Sequence, residues 1–397
     1  MLTLRLAYKN IIGAGIRTWL NVIVLSVAFV TIIGMQGLYR GMLDRARDAM
    51  IRMELGAGQF WHPEYDPYDP FSLNESHGSI PSNLQNAVDR GDAIPILITQ
   101  GTIFPEGRIK PIMLKGIPPE QTVLEIPTHS MKAEGDIPAL IGSNMAENAN
   151  LSVGDYITVR WRDVNGTYDA ADVKIVHIME TIVQSVDNGQ IWLPLERLYT
   201  MTGMVPEGTP PGADEATLIV RGERAEDITE AGNWVFKDIG FLTKEIDEIQ
   251  QMSDVSMSFL YFFLLGMGLL AVFDTQVLSI WRRRKEMGTL MALGMSRGML
   301  IRLFTLEGAM HAVLAILVGA IYGIPLLTWF AHTGFTMPEY VEDYGMALGR
   351  TMYPVYGTWL VLGTVILVFI TVTIVSYLPT RKIADLEPTD ALRGKFS

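Results

Sequence analysis

The residues Gly294-Met295-Ser296-Arg297-Gly298 spell G-x-S-x-G, the string in which a strained strand-to-helix turn presents a nucleophilic serine. That chemistry needs a strand before the serine and a base beside it. The residues preceding Gly294 have helical apolar spacing instead, so the string does not read as a nucleophile elbow. No G-x-x-x-x-G-K-S/T loop is present to cradle a nucleotide's phosphates, and no H-E-x-x-H pair to hold a zinc. The six histidines, His62, His77, His129, His177, His311 and His332, are scattered. His62 and His77 flank a loop with Glu64, Asp66 and Asp69, a composition open to a metal but ordinary for a solvated loop. Cysteine is absent, which removes disulfides and thiolate metal sites. The expectation is a chain with no catalytic residue, no cofactor and no metal site of its own.

Three ionisable residues fall in or beside apolar spans: Asp274, Glu307 and His311. Glu307 and His311 are four apart and share a helix face. In lipid such groups mark proton relays or coupling elements. Asp274 and Glu307 lie within a turn or two of one membrane face, where water, headgroups or neighbouring cations satisfy them. No basic partner accompanies them in mid-membrane, a poor arrangement for a proton-driven transporter.

The elements that carry these residues are apolar spans at 19–39, 257–280, 303–330 and 357–378. Each has about 20 residues or more, enough to cross about 30 Å of hydrocarbon at about 1.5 Å per residue. Residues 33–39 offer no small-x-small cleavage site, so the first span reads as a retained helix rather than a signal peptide. The chain of 397 residues is 49% hydrophobic and 19% charged, apolar for a soluble protein of that size. Its net charge of −12, with no long basic run, argues against a nucleic-acid partner.

Charge sets the orientation. Arg5, Lys9 and Arg17 precede the first span without an acidic residue. Arg282, Arg283, Arg284, Lys285, Arg297 and Arg302 follow the second against Glu286 alone, and Arg381, Lys382, Arg393 and Lys395 follow the fourth. The positive-inside rule makes that side cytoplasmic, with both termini on it, and Arg282, Arg283, Arg284, Lys285, Arg381 and Lys382 serve as topology anchors. Residues 40–256 hold 17 basic and 34 acidic side chains, an acidic outward-facing domain. Short β-rich runs there (58–65, 94–99, 111–115, 156–161, 173–178, 190–193, 217–220) alternate with helical candidates at 81–90, 143–150, 194–200 and 225–235. Residues 205–213 read as a Pro/Gly-rich loop, and 242–256 as a helix rising into the second span.

The expected fold is thus a membrane α-helical protein with four transmembrane helices and a large α+β extracytoplasmic domain inserted between helices 1 and 2. Its parts are a cytoplasmic amphipathic lead-in helix (1–18), a first span (19–39), the periplasmic domain (40–256), a second span (257–280), a cytoplasmic segment (281–302), a third span (303–330), a periplasmic loop (331–356), a fourth span (357–378) and a cytoplasmic tail (379–397).

Anchoring explains the cations of the 281–302 segment. It does not explain Glu286, Met287, Gly288, Leu290, Met291, Ala292, Leu293, Gly294, Met295 and Arg297, an amphipathic pattern with glycines. Such a stretch suits two uses, resting on lipid or filling a groove in a soluble partner.

The string from Arg282 through Arg297, followed by Leu303-Phe304 and Leu306-Glu307-Gly308, closely resembles the core of the FtsX-like permease domain. That domain is the membrane subunit of ABC transporters that include the MacB and LolC/LolE proteins. The segment 377–393 is similar to the family's closing motif, and Leu4 to Asn10 with Arg17 to Leu20 to its N-terminal amphipathic helix. The run Met53 to Tyr65 leans toward the lipoprotein-releasing, LolC/LolE-type branch.

The resemblance implies a division of labour. A separate ABC ATPase dimer binds ATP and Mg, Glu286 to Arg297 form its coupling helix, and two permease copies or paralogues pair in the bacterial inner membrane. Motion passes through the spans to the periplasmic domains, which extract or release lipoproteins or other lipid-anchored cargo, with a periplasmic carrier or adaptor as a further partner. Two alternatives remain open: MacB-like efflux of periplasmic peptides or amphiphiles through an adaptor and outer-membrane duct, and a membrane-anchored receptor or scaffold without transport. The chain shows no fused ATPase domain of the MacB kind, and its outer domain is much longer than that of the division protein FtsX.

Overall fold

The computed structural model describes residues 16–132, 135–204, 215–225, 227–336 and 351–381. Among them the chain forms two compact units, one from residues 43–248 and one from residues 16–42, 249–336 and 351–381. Most of the expected lead-in helix, Lys382 and the rest of the tail, and the loop 205–213 lie outside the described residues.

The first described helix, α1, spans Ile16–Met50 and ends in a wide turn, Ile51–Leu55. The α/β unit then follows as β1 (Gln59–Trp61), β2 (Gly78–Ser79), α2 (Ser82–Asp89), β3 (Ala93–Ile103), β4 (Lys110–Ile117), β5 (Ile137–Gly142), α3 (Ser143–Ala149), β6 (Tyr156–Arg162), β7 (Tyr168–Met179), α4 (Gln184–Asp187), β8 (Gln190–Pro194), α5 (Leu195–Thr202), β9 (Glu215–Ala216), β10 (Leu218–Arg221), β11 (Val235–Lys237) and α6 (Ile239–Leu242).

Its main sheet runs β11-β1-β10-β3-β4-β8-β5-β7-β6, and β6 pairs again with β3. Six strands therefore close into a ring, which removes their exposed edges. The long β3 belongs to both halves, pairing with β10 through residues 93–96 and with β4 through residues 97–103. Alternation fills the ring: Ile157, Val159 and Trp161 of β6 point inward while Tyr156, Thr158, Arg160 and Arg162 are exposed. Ile112, Leu114, Ala139, Ile141, Ile191 and Leu193 complete that interior, with Met145 of α3 and Leu198 of α5. The other face of the same strands presents Ile94, Ile96, Leu140 and the fully buried Trp192 to a second core.

Two local expectations need correction. Among the described residues of 225–235 there is no α-helix: besides a short turn, Glu223–Ala225, there is a reversal with Gly232 at φ 60° and a bridge from Ala231 to Trp234. The reversal sends Trp234 into a cluster with Phe60, Leu84 and Ala87, burial that a helix through Gly232-Asn233 would not provide. β5 escaped notice because it is a central strand covered on both faces, so Ile137 to Gly142 shows no alternation.

The helical unit uses α1 up to residue 42 together with α7 (Lys244–Arg282, from residue 249), α8 (Arg284–Ala292), α9 (Arg297–Thr333) and α10 (Thr358–Arg381). A two-stranded ribbon pairs β12 (Phe335–Thr336) with β13 (Thr351–Met352). Among the described residues four helices, those containing the expected spans, are long and apolar enough to cross a membrane. Val22, Leu25, Phe29 and Ile33 pack against Leu265 and Val272 of α7, Ala312 and Ala315 of α9, and Val368 and Val372 of α10. Asn21 adds a polar tie, its Nδ2 donating to Ala271 O at 3.1 Å and Thr275 Oγ1 at 2.5 Å.

Candidate functional site

The segment between α7 and α9 is built by a break, a short helix and a turn. Arg283, at φ −100° and ψ 19°, ends α7 and precedes α8. After Ala292, Gly294 at φ 97° reverses the chain, a conformation that a β-carbon disfavours. Ser296 then caps α9, accepting from Met299 N at 3.3 Å. The serine of the G-x-S-x-G string is therefore a helix cap between two helices, not the apex of a strand-to-helix turn.

Period 3.6 splits the segment into two faces. Met287 is fully buried and packs with Ile280, Leu300 and Phe304, flanked by the half-buried Leu290, Met291 and Met295. Gly288 is buried beside them. Glu286, Thr289, Ala292, Gly294 and Arg297 are exposed, and Leu293 is 83% exposed. Of the residues expected to couple to a partner, Met287 and Gly288 thus face inward, and the outward surface centres on Leu293 between Glu286 and Arg297.

The four cations are not equivalent. Arg282 and Lys285 are exposed. The Arg284 guanidinium lies 4.1 Å from the Trp281 ring centre. Arg283 Nε donates to Glu286 Oε2 at 2.7 Å, while Nη1 donates to both Glu307 oxygens at 3.0 and 2.9 Å. Glu307 is therefore satisfied by a neighbouring cation of the cluster, in keeping with its place near the end of a span. The partner lies 24 residues away in the chain, a separation in sequence that hides the contact. Asp274 itself is exposed, and Arg381 is exposed at the end of α10.

Directly after the ion-paired Glu307, three helices cross closely at Gly308. A β-carbon there would overlap Ser376 Cβ of α10 and stand 3.0 Å from Gln276 Nε2 of α7. Thr305 and Thr380 hydroxyls meet at 2.9 Å on the same side. His311 is buried, its Nδ1 within 3.2 Å of the carbonyls of Glu307 and Gly308. Phe304 and Gly308 stand in the strings that carry the family resemblance, while Gln276 and Ser376 carried no such signal, although a glycine and a glutamine inside apolar helices are cues to a close crossing.

The α/β unit holds a separate cavity of about 920 Å³, walled by Trp61, Tyr65, Ile96, Leu218 and Phe241, with Glu54 and Lys115 among its lining. Lys237 lies over Phe241 at 4.2 Å and Trp61 at 5.4 Å. Burial, reinforced by the Glu54 and Asp66 carboxylates, raises the Tyr65 phenol above its usual range, so it stays a neutral donor. His62, on the rim, is held below the usual histidine value by burial and by nearby His77. His77 itself pairs with Glu215 at 2.5 Å. Among the described residues no three His, Asp or Glu side chains gather to hold a metal.

Residues 257–388, which contain the break, α8, the cap and the Gly308 crossing, match the family described as FtsX-like permease C-terminal. This segment resembles an FtsX-like permease domain. The chain is 24% identical over 273 residues to an uncharacterized ABC transporter permease of Methanocaldococcus jannaschii, covering 64% of this chain and 62% of that one. It is 22% identical over 248 residues to the macrolide export ATP-binding/permease protein MacB of Bordetella avium, covering 57% and 34%. The chain thus spans less than two thirds of the length of either relative. A solved structure of the extracellular domain of the noncanonic ABC-type transporter YknZ from Gram-positive bacteria covers 48% of this chain and 92% of its own, at 16% identity and a TM-score of 0.26.

Proposed function

We propose that this chain is the membrane subunit of an ABC transporter in a bacterial inner membrane, driven by a separate ATPase dimer that holds ATP and Mg. The observation that supports this most directly is α8. A helix of nine residues is held between two long apolar helices, buried at Met287 and 83% exposed at Leu293, inside the matched segment. Such a surface seats in a groove of a soluble partner by its exposed leucine, with Glu286 and Arg297 on its rim. In this reading the chain performs no catalysis, a second permease copy or paralogue completes the assembly, and the α/β unit lies outside the cytoplasm.

The cargo in this reading is a lipoprotein or another lipid-anchored molecule, moved on the outer side of the membrane with a periplasmic carrier or adaptor. The α/β unit's cavity, lined by both aromatic and charged side chains, is of a size and character to take part of an amphiphilic molecule. The likeness to MacB, a protein named for macrolide export, favours a second reading, expulsion of peptides or small amphiphiles through an adaptor and duct.

Affinity purification from native membranes in mild detergent, with mass spectrometry, separates these readings. An ATPase with lipoproteins and no duct supports the first, and an ATPase with an adaptor and a duct supports the second. The absence of any ATPase, where other transporters stay whole, leaves a membrane-anchored receptor or scaffold.

A further inference from the structure

Arg283 has a geometry that a topology anchor does not need. An anchor keeps its charge in water at the membrane face, as the exposed Arg282 and Lys285 do. The Arg283 side chain is only 24% exposed and its Glu307 partner 9%. The guanidinium lies 5.0 Å from the Phe304 ring centre while donating to both oxygens of Glu307. Phe304 and Glu307 are three apart and share a face of α9. Arg283 is also the residue at which the α7 helix breaks before α8. One residue thus sits at the break and is fastened to the neighbouring helix on its far side.

We infer that Arg283 and Glu307 form a positioning clamp that makes α8 and the first turns of α9 move as one piece. The inference rests on the reading of α8 as the docking helix for an ATPase. A single-residue break is a place where α8 can pivot and dissipate a push. The clamp opposes this. One nitrogen, Nη1, reaches both Glu307 oxygens while Nε of the same guanidinium is held by Glu286, which restricts how the group can turn, and a nearly buried carboxylate that lost its partner would carry a large desolvation cost. The apolar contacts of Met287 with Leu300 and Phe304 lie on the same side and act in the same sense. From Glu307 the next residue is Gly308, where α9 meets Ser376 of α10 with no room for a β-carbon. Close-packed contacts of that kind pass displacement on because they do not compress. A displacement of Leu293 is therefore delivered to α9 and α10 rather than absorbed at the end of α7.

Two measurements on the full-length chain in detergent test this. The first follows hydrogen exchange of residues 284–292 without any ATPase. Glu307→Gln is expected to speed exchange there about fivefold or more while α10 stays unchanged. The paired exchange Arg283→Glu with Glu307→Arg is expected to return it to within about twofold of the parent, which keeps the test decisive if Glu307→Gln folds poorly. Unchanged exchange in Glu307→Gln, or no recovery in the paired variant, overturns the clamp.

The second places a fluorophore on Thr333→Cys, the sole thiol in a chain without cysteine, at the far end of α9. With the co-purified ATPase, MgATP and vanadate, Glu307→Gln is expected to keep the ATPase bound and hydrolysing. Its label response is expected to fall about five- to hundredfold, the range of ordinary coupling energies. A full response in that variant overturns the clamp. A parent chain that retains no ATPase sinks the permease reading instead, and the exchange comparison still decides whether the pair holds α8 to α9.

Discussion

Lys115 Nζ lies 2.6 Å from Glu54 Oε1, and both side chains are almost covered, at 9% and 13% exposure. The pair joins β4 to the turn that ends α1, and Ser185 Oγ donates to the second Glu54 oxygen at 2.7 Å. The Lys115 ammonium also lies 4.9 Å from the Trp192 ring centre. Removing one charge leaves the other buried alone, so Glu54→Gln is expected to cost the α/β unit about 3 kcal/mol. The paired change Glu54→Leu with Lys115→Met should cost less than either single one, as read by chemical denaturation.

The helix crossing at Gly308 gives a packing prediction. Gly308→Val forces α9 away from Ser376 and is expected to lower stability by about 2 kcal/mol, the usual scale of overpacking. Ser376→Gly on that background should recover part of the loss. Thermal unfolding in detergent measures both, and equal stability of Gly308→Val and the parent chain would contradict the close crossing.

The two faces of α8 predict opposite phenotypes. Leu293→Glu, on a side chain 83% exposed, should leave the fold intact and, on the proposed function, release the ATPase subunit. Met287→Ala, at a fully buried position, should cost about 2 kcal/mol or more through the cavity it leaves. Pull-down against thermal stability separates them. Retention of the partner by the Leu293 variant would show that α8 docks elsewhere.

Ser296→Ala should cost about 1 kcal/mol, the ordinary loss for an N-cap. A nucleophile in the same position would instead react with a fluorophosphonate probe. Labelling of Ser296 by such a probe would contradict the cap assignment.

His62 titrates below the ordinary histidine range because burial disfavours its charged form, with His77 adding to the effect and Glu64 and Glu215 opposing it. The fold therefore binds fewer protons at this ring than the unfolded chain does, and stability is lost as pH falls through and below the ordinary histidine value. His62→Gln should flatten that decline. Titration of the ring by NMR is expected to show a midpoint below 6.5, the unperturbed histidine value; a higher midpoint would reverse the sign.

Much of the helical unit was legible because the bilayer imposes a length and a polarity that composition alone displays. The spans at 19–39, 257–280 and 303–330 lie within helices at Ile16–Met50, Lys244–Arg282 and Arg297–Thr333, and that at 357–378 begins one residue before the helix Thr358–Arg381. The amphipathic run after Arg284 was visible too, because a helix shows its period locally. Half-buried strands such as β6 were legible for the same reason, with a period of two.

What the sequence by itself determined is this local order: apolar lengths, periods, the cation cluster and the motif that carries the family resemblance. Only the tertiary structure decided that Arg283 of the α7–α8 break belongs to Glu307, that Met287 faces inward while Leu293 faces outward, and that six strands close into a ring through β3 and β6. It also decided the fate of residues 225–235, where the burial of Trp234 outweighs a helical composition. The physical reason is common to all of these. Periodicity is a property of neighbours in the chain, whereas ion pairs, helix crossings and strand closure depend on which distant segments meet.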